Sequence, residues 1–306
     1  AKMDFMNKAM TAVTDVVVGV QTATGTDDGF GFTQNADGVF VRQRVELFEA
    51  VTGCETKNRY NLVTIPKGAA FPEKMDTAWS EPYKEAALSD RLYKAKEESQ
   101  CFQRICCPVF RGFEMEFKTK EGATDFTIER PFKCDPCHCP PCCMLAEQEL
   151  SVKGRDGVVI TRAKERTANC QQCCSRTFII YDGSEQELYR LKAGQCTSDS
   201  GNCNACAPSC CVNAYEVDMY QAGDEGKKVD TSAFLFPGCC TCAGATDRSN
   251  FVVKFPAEAT THQRAALLGG MFLVEYTIME LKRQQEKENN NQGGGGGAPE
   301  QQQMAR

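Results

Sequence analysis

The chain has 306 residues, 25% of them charged, with 35 Lys and Arg against 41 Asp and Glu, a net charge of -6, and 20 cysteines. That length suits one large domain or two small ones with a buried core. The acidic balance argues against a nucleic-acid partner and against a polybasic hold on an anionic leaflet, while an apolar share of 42% that includes every cysteine excludes a pore or carrier with many spans.

The first apolar run, Val16 to Val20, is short and follows Asp15 rather than a basic flank, so no secretory signal is expected. The expected compartment is cytosolic, where thiols stay reduced and 20 cysteines call for metal, acyl groups or burial rather than a disulfide framework. Met3, Met6, Met10, Val13, Val17 and Val20 fall on one stripe of a helix, expected to lie on the domain. From Val39 the period changes to two. Val39, Val41, Val45 and Leu47 alternate with Phe40, Arg42, Arg44 and Glu46, which predicts a half-buried strand closed by a turn at Thr52-Gly53.

Residues 64 to 90, with Pro66, Pro72, Pro82, Trp79 and a helix-compatible Tyr83 to Leu88, read as a polar insert and a candidate protein-partner segment. Strand patterns then follow at Phe113, Met115 and Phe117, and at Phe126 and Ile128, around a turn at Glu121-Gly122. Asp156-Gly157 predicts a hairpin between Leu150/Val152 and Val158/Ile160. Asp182-Gly183 predicts another between Phe178/Ile180 and Leu188/Leu191. Tyr215, Val217 and Met219 give a further strand, as does Phe251 to Phe255. Many hairpins without a β-α-β rhythm imply a mainly β fold, an antiparallel barrel or sandwich.

Ala265 to Leu281 is apolar on all sides and therefore buried. Its 17 residues are short for a bilayer and include Glu275 and Glu280, which favours a core helix inside a barrel over a membrane span. Contacts with Val45, Phe117 and Ile180 are expected, with Lys282 and Arg283 at the exit to solvent. The tail from Gln284, rich in Asn, Gln and Gly, has too little apolar surface to fold alone.

Cysteines cluster at Cys101, Cys106 and Cys107; at Cys134, Cys137, Cys139, Cys142 and Cys143; at Cys170, Cys173 and Cys174; at Cys203, Cys206, Cys210 and Cys211; and at Cys239, Cys240 and Cys242. Cys134, Cys137, His138 and Cys139 have the ligand types for a tetrahedral Zn²⁺. Adjacent Cys pairs and prolines depart from zinc-knuckle spacing, and thiols in Pro-punctuated loops are also good acylation substrates, so both readings stand. Only His138 and His262 offer a catalytic base, and no nucleophile elbow, P-loop or dinucleotide fingerprint is present. A hydrolytic enzyme is not expected.

Val41 to Leu62 (VRQRVELFEAVTGCETKNRYNL), Leu92 to Cys107 (LYKAKEESQCFQRICC), Phe126 to Cys143 (FTIERPFKCDPCHCPPCC), Asn250 to Pro256 and Gly269 to Glu280 resemble, in that order, the phospholipid scramblase family. The likeness covers about Val39 to Leu281, and Glu-Arg-Pro followed by a Cys/Pro cluster is its most specific part. It implies a closed antiparallel barrel of the tubby type around a hydrophobic C-terminal helix. The organisation is then residues 1–38 as helix and linker, 39–281 as barrel with an insert at 64–90, and 282–306 as tail. It further implies bidirectional, calcium-responsive movement of phospholipids between leaflets, at the cytoplasmic face of a membrane and foremost the plasma membrane. Palmitoylation is implied at Cys134, Cys137, Cys139, Cys142 and Cys143. The family's calcium segment falls on Asp247, Ser249, Asn250 and Glu258; Ser249 stands where a second acidic residue is usual, which implies a weak Ca²⁺ site of about millimolar affinity. No proline precedes Pro66, so SH3 or WW partners are not implied. The insert and tail remain candidate partner segments, and a contrasting expectation is an acylated peripheral adaptor that moves no lipid.

Overall fold

In the computed structural model, residues 28–44, 57–133, 147–166, 175–194, 214–223, 227–236 and 250–280 are described. Twelve strands close into one barrel in which every neighbour is antiparallel and sequential except for the closing pair of first and last. They are β1 (Ala36–Arg44), β2 (Arg59–Pro66), β3 (Tyr93–Ser99), β4 (Phe113–Lys118), β5 (Thr124–Arg130), β6 (Glu149–Lys153), β7 (Val159–Arg166), β8 (Ser175–Asp182), β9 (Glu187–Gly194), β10 (Ala214–Gln221), β11 (Lys228–Leu235) and β12 (Asn250–Lys254). Three helices join them: α1 (Thr77–Ser89), α2 (Cys101–Cys106) and α3 (Thr261–Val274), the last continued by a π-helical turn over Glu275–Met279.

About eight strands enclose a space that side chains alone fill, so twelve need a larger occupant. That occupant is α3. Its residues from Arg264 to Val274 are all buried, and so is the π-turn. Phe272 meets Tyr60, Phe117 and Phe251 edge-on at 5.2, 5.6 and 5.2 Å, from three different strands. Gly269 and Gly270 let the helix press on the opposite wall: a Cβ would fall 2.4 Å from Val152 Cγ2 at the first and 2.6 Å from Ile180 Cδ1 at the second. The expected contacts with Phe117 and Ile180 are therefore present, whereas Val45, Lys282 and Arg283 lie outside the described residues. The helix begins four residues before Ala265, because Thr260 and Gln263 form a reciprocal capping box and buried Arg264 donates to the carbonyls of Thr33, Ala36 and Ala259.

Strand alternation places apolar residues inside, as at Phe113, Met115 and Phe117, and charged ones outside, as at Glu114, Glu116 and Lys118. A membrane-spanning barrel has the opposite arrangement, an apolar band facing outward. Among the described residues no helix is long and apolar enough to cross a membrane. One stripe of the outer wall is apolar after all. Phe40, expected on the polar face of its strand, joins Val63, Ile65, Leu235 and Val252 in a second buried cluster, and α1 covers it with Tyr83 and Ala87. The insert is thus a lid on the barrel wall, with an Asp76 cap at its start.

Two hairpins differ from expectation. On β7 the inward side chains are Thr161, Ala163 and Glu165, while Val158 is exposed, because Val152 pairs with Thr161 and a bulge follows at Lys153. In the β8–β9 turn the positive φ belongs to Glu185 at 64°; Asp182 Oδ1 accepts from the N–H groups of Ser184 and Gln186, which builds a longer turn than Asp-Gly alone.

Candidate functional site

Alternating antiparallel strands leave their connections at two ends. The lower end joins β2 to β3, β4 to β5, β6 to β7, β8 to β9 and β10 to β11, and α3 enters there after β12. The upper end joins β1 to β2, β3 to β4, β5 to β6, β7 to β8, β9 to β10 and β11 to β12. All 20 cysteines fall in the upper connections: Cys54; Cys101, Cys106 and Cys107; the Cys134 to Cys143 cluster; Cys170, Cys173 and Cys174; Cys196 to Cys211; and Cys239, Cys240 and Cys242. No described strand holds one, and neither do the lower connections or the terminal segments of the sequence.

The roots of the Cys134 to Cys143 connection are well defined although the cluster itself, with Cys134, Cys137, His138, Cys139, Cys142 and Cys143, lies outside the described residues. Pro131 ends β5 because it has no N–H to pair. Before it, fully buried Arg130 donates from Nη2 to the Val109 carbonyl and to Gln148 Oε1, both at 2.7 Å, tying the outgoing root to the returning one. Lys133 Nζ closes the same gap by donating to the Glu147 carbonyl at 3.1 Å. Burial, then the Arg111 charge nearby, lowers the Arg130 guanidinium to about 10. The Arg of the Glu-Arg-Pro signature is therefore a clasp across the base of the cysteine connection.

Beside it lies an ion network that sequence reasoning missed. Arg111 donates from Nε and Nη2 to the two oxygens of Glu97, at 2.6 and 3.0 Å, and from Nη1 to Glu280 Oε1 at 2.5 Å. Tyr276 Oη and Ser99 Oγ donate to Glu97 at 3.0 and 2.6 Å. Burial raises the Glu97 carboxyl, but the Arg111 charge and these hydrogen bonds outweigh it and hold it below the usual range. Burial alone dominates at Glu165, whose carboxyl is raised despite Arg176. The network thus binds the last turn of the core helix to the upper rim. The inward parity of Tyr93, Ala95 and Glu97 was the available signal, since a charge on an inward position needs a partner.

Of the implied calcium residues, Asn250 and Glu258 are described, and they lie apart. Asn250 opens β12 at the upper end, Glu258 is exposed in the turn after it at the lower end, and the five residues of extended strand set the strand's ends about 13 Å apart. These two share no coordination shell, and Asp247 and Ser249 lie outside the described residues. Among the described residues no group of three or more His, Cys, Asp or Glu is placed to hold a metal ion. His262 pairs with Asp28 at the lower end, 2.6 Å apart.

The family model described as Scramblase matches residues 85–281. Phospholipid scramblase 2 of Bos taurus is 27% identical over 261 residues, covering 83% of this chain and 72% of that protein. Phospholipid scramblase 1 of Mus musculus and of Homo sapiens are each 26% identical over 253 residues, 82% of this chain and 64% and 66% of theirs. The chain thus spans about two thirds of the length of these relatives. No solved structure matches. With a family match over most of the barrel and its core helix, the chain belongs to the scramblase family.

Proposed function

We propose that the chain moves phospholipids between leaflets in both directions and in response to calcium, held on the cytoplasmic face of a membrane, foremost the plasma membrane, by acyl thioesters on Cys134, Cys137, Cys139, Cys142 and Cys143. Family membership carries this reading. The place of every cysteine in sequence, within connections whose described roots lie at one barrel end, supports the anchoring part, since chains attached there enter a bilayer from one side, and two acyl chains suffice for stable attachment. The net charge of -6 leaves little for an electrostatic hold. Calcium response is assigned to the segment Asp247, Ser249, Asn250 and Glu258, of which Asn250 roots in the upper end and Glu258 lies beyond the far end of β12. A zinc ion on Cys134, Cys137, His138 and Cys139 is the alternative use of the same thiols, read out by elemental analysis.

The test is lipid movement itself. Purified protein in symmetric vesicles carrying a fluorescent phospholipid is challenged with an impermeant reductant, and calcium-dependent bleaching well beyond the outer-leaflet half is expected. Bleaching that stops at half at every protein density overturns the reading in favour of an acylated peripheral adaptor, a role that a barrel whose interior is filled by α3 can also serve.

A further inference from the structure

Helix α2 is turned inside out. A surface helix ordinarily lays its apolar stripe on the protein. At about 100° per residue, Cys101, Phe102, Ile105 and Cys106 share one side of α2, with Gln103 and Arg104 on the other. It is the polar side that faces the barrel. Gln103 Oε1 accepts the Gly112 N–H at 2.9 Å, and Arg104 donates to the carbonyl and hydroxyl of Ser99. Phe102 and Ile105 are left 72% and 64% exposed, and Cys101 and Cys106 are exposed free thiols beside them.

The segment that follows α2 packs on the root of the cysteine connection. Phe132, itself 46% exposed, lies against the end of the α2 segment: a Cβ on Gly112 would fall 2.7 Å from the Phe132 nitrogen, and the Lys133 N–H donates to the Phe110 carbonyl. One residue further on is Cys134. Beneath α2 runs an open groove of about 460 Å³ whose lining includes Glu98, Glu114 and Glu129, in register on β3, β4 and β5. Glu98 is paired with Lys57 and Lys96 and Glu129 with Lys153, so charge at the groove is largely compensated and the contact made by Phe102 and Ile105 is an apolar one.

We infer that α2 is a second membrane-contact element, with Phe102 and Ile105 entering the interface of a lipid bilayer and Cys101 and Cys106 serving as S-acylation sites beyond the Cys/Pro cluster. The inference rests on the membrane-facing upper end proposed above. In the covalent step a cysteine sulfur attacks the carbonyl carbon of a fatty acyl thioester donor. The new C–S bond forms as the donor's C–S bond breaks, the proton passes to the released donor thiol, and no redox change occurs.

Two measurements on the full chain test it. In protein from cells that acylate, with Cys134, Cys137, Cys139, Cys142 and Cys143 all replaced by Ser, hydroxylamine-dependent mass tags are expected on the tryptic peptides Glu97–Arg104 and Ile105–Arg111. Those tags vanish in a further Cys101→Ser/Cys106→Ser variant; untagged peptides in the parent overturn the acylation. In protein made without acylation, Phe102→Ser/Ile105→Ser is expected to lower flotation with phosphatidylcholine vesicles about tenfold at any salt concentration, with an unchanged melting temperature. Equal flotation overturns the insertion, as does a self-dimer of the parent that the double variant abolishes. Failure of lipid movement alone, with tags and flotation intact, removes the scrambling reading and leaves α2 standing.

Discussion

Arg111 neutralises two carboxylates that the fold has removed from water, and the arithmetic of such a triad is lopsided. Replacing a whole buried ion cluster by well-packed apolar groups is often neutral, but removing one partner strands the others and costs about 3 to 5 kcal/mol. Arg111→Met should therefore destabilise the chain by that amount at pH 7, measured by chemical denaturation. The pH dependence has a defined sign. In the parent, Glu97 is held below its unfolded value of about 4.5, so its contribution is present above that value and is lost as pH falls through the depressed one. In the variant the same buried carboxyl lacks its counter-charge and rises, so stability grows as pH falls toward 4.5. The gap between the two proteins should narrow in acid, and a gap that is constant from pH 7 to pH 4 would rule out Glu97 as its source. The sequence marked Glu275 and Glu280 as costly in an apolar helix and marked Arg130 through its Glu-Arg-Pro context. It did not reveal who pairs with whom, because Arg111 and Glu280 stand 169 positions apart and only barrel closure brings them together.

At the scale of elements, nine of the twelve strands were legible because each carries a period-two pattern with one dry face, β2, β3 and β11 were not anticipated, and the core helix was legible because it has no wet face at all. What escaped was set by neighbours. Phe40 reads as an outward residue on its own strand and is buried only because α1 arrives to cover it. Val158 loses its inward place to Thr161 through the pairing register of a bulged hairpin, which no single strand encodes. The wide turn at Glu275–Met279 follows an unbroken apolar run and has no sequence marker that separates it from an α-helix. Gly269 is a case where the pattern and the packing disagree, since glycine weakens a helix interior by about 1 kcal/mol relative to alanine. The wall explains it: Val152 Cγ2 occupies the space a Cβ would need. Gly269→Val should therefore lose about 3 kcal/mol by overpacking despite replacing a poor helix former, and a variant as stable as the parent would show that β6 yields freely to the helix.

For the whole molecule, the decisive property is a filled interior with the cysteine-bearing connections rooted at one rim. A lipid headgroup crossing a bilayer needs a polar route, and α3 leaves none along the barrel axis: its apolar side chains meet strands around the wall, Arg264 fastens its start, and Arg111 fastens its end through Glu280. The outward charges of β3 to β5 likewise keep that wall out of hydrocarbon. If this chain moves lipid, the bilayer must be perturbed beside the cysteine-bearing end while the barrel stays closed. Backbone amides from Leu267 to Val274 should then exchange with solvent only through global unfolding, with the same protection in buffer, on vesicles, and on vesicles with calcium. Hydrogen exchange read by mass spectrometry on the peptides of α3 decides the matter. Faster exchange confined to α3 on calcium-loaded vesicles would mean that the helix leaves the barrel to work, and that Arg111 and Arg264 are latches that open rather than permanent fastenings.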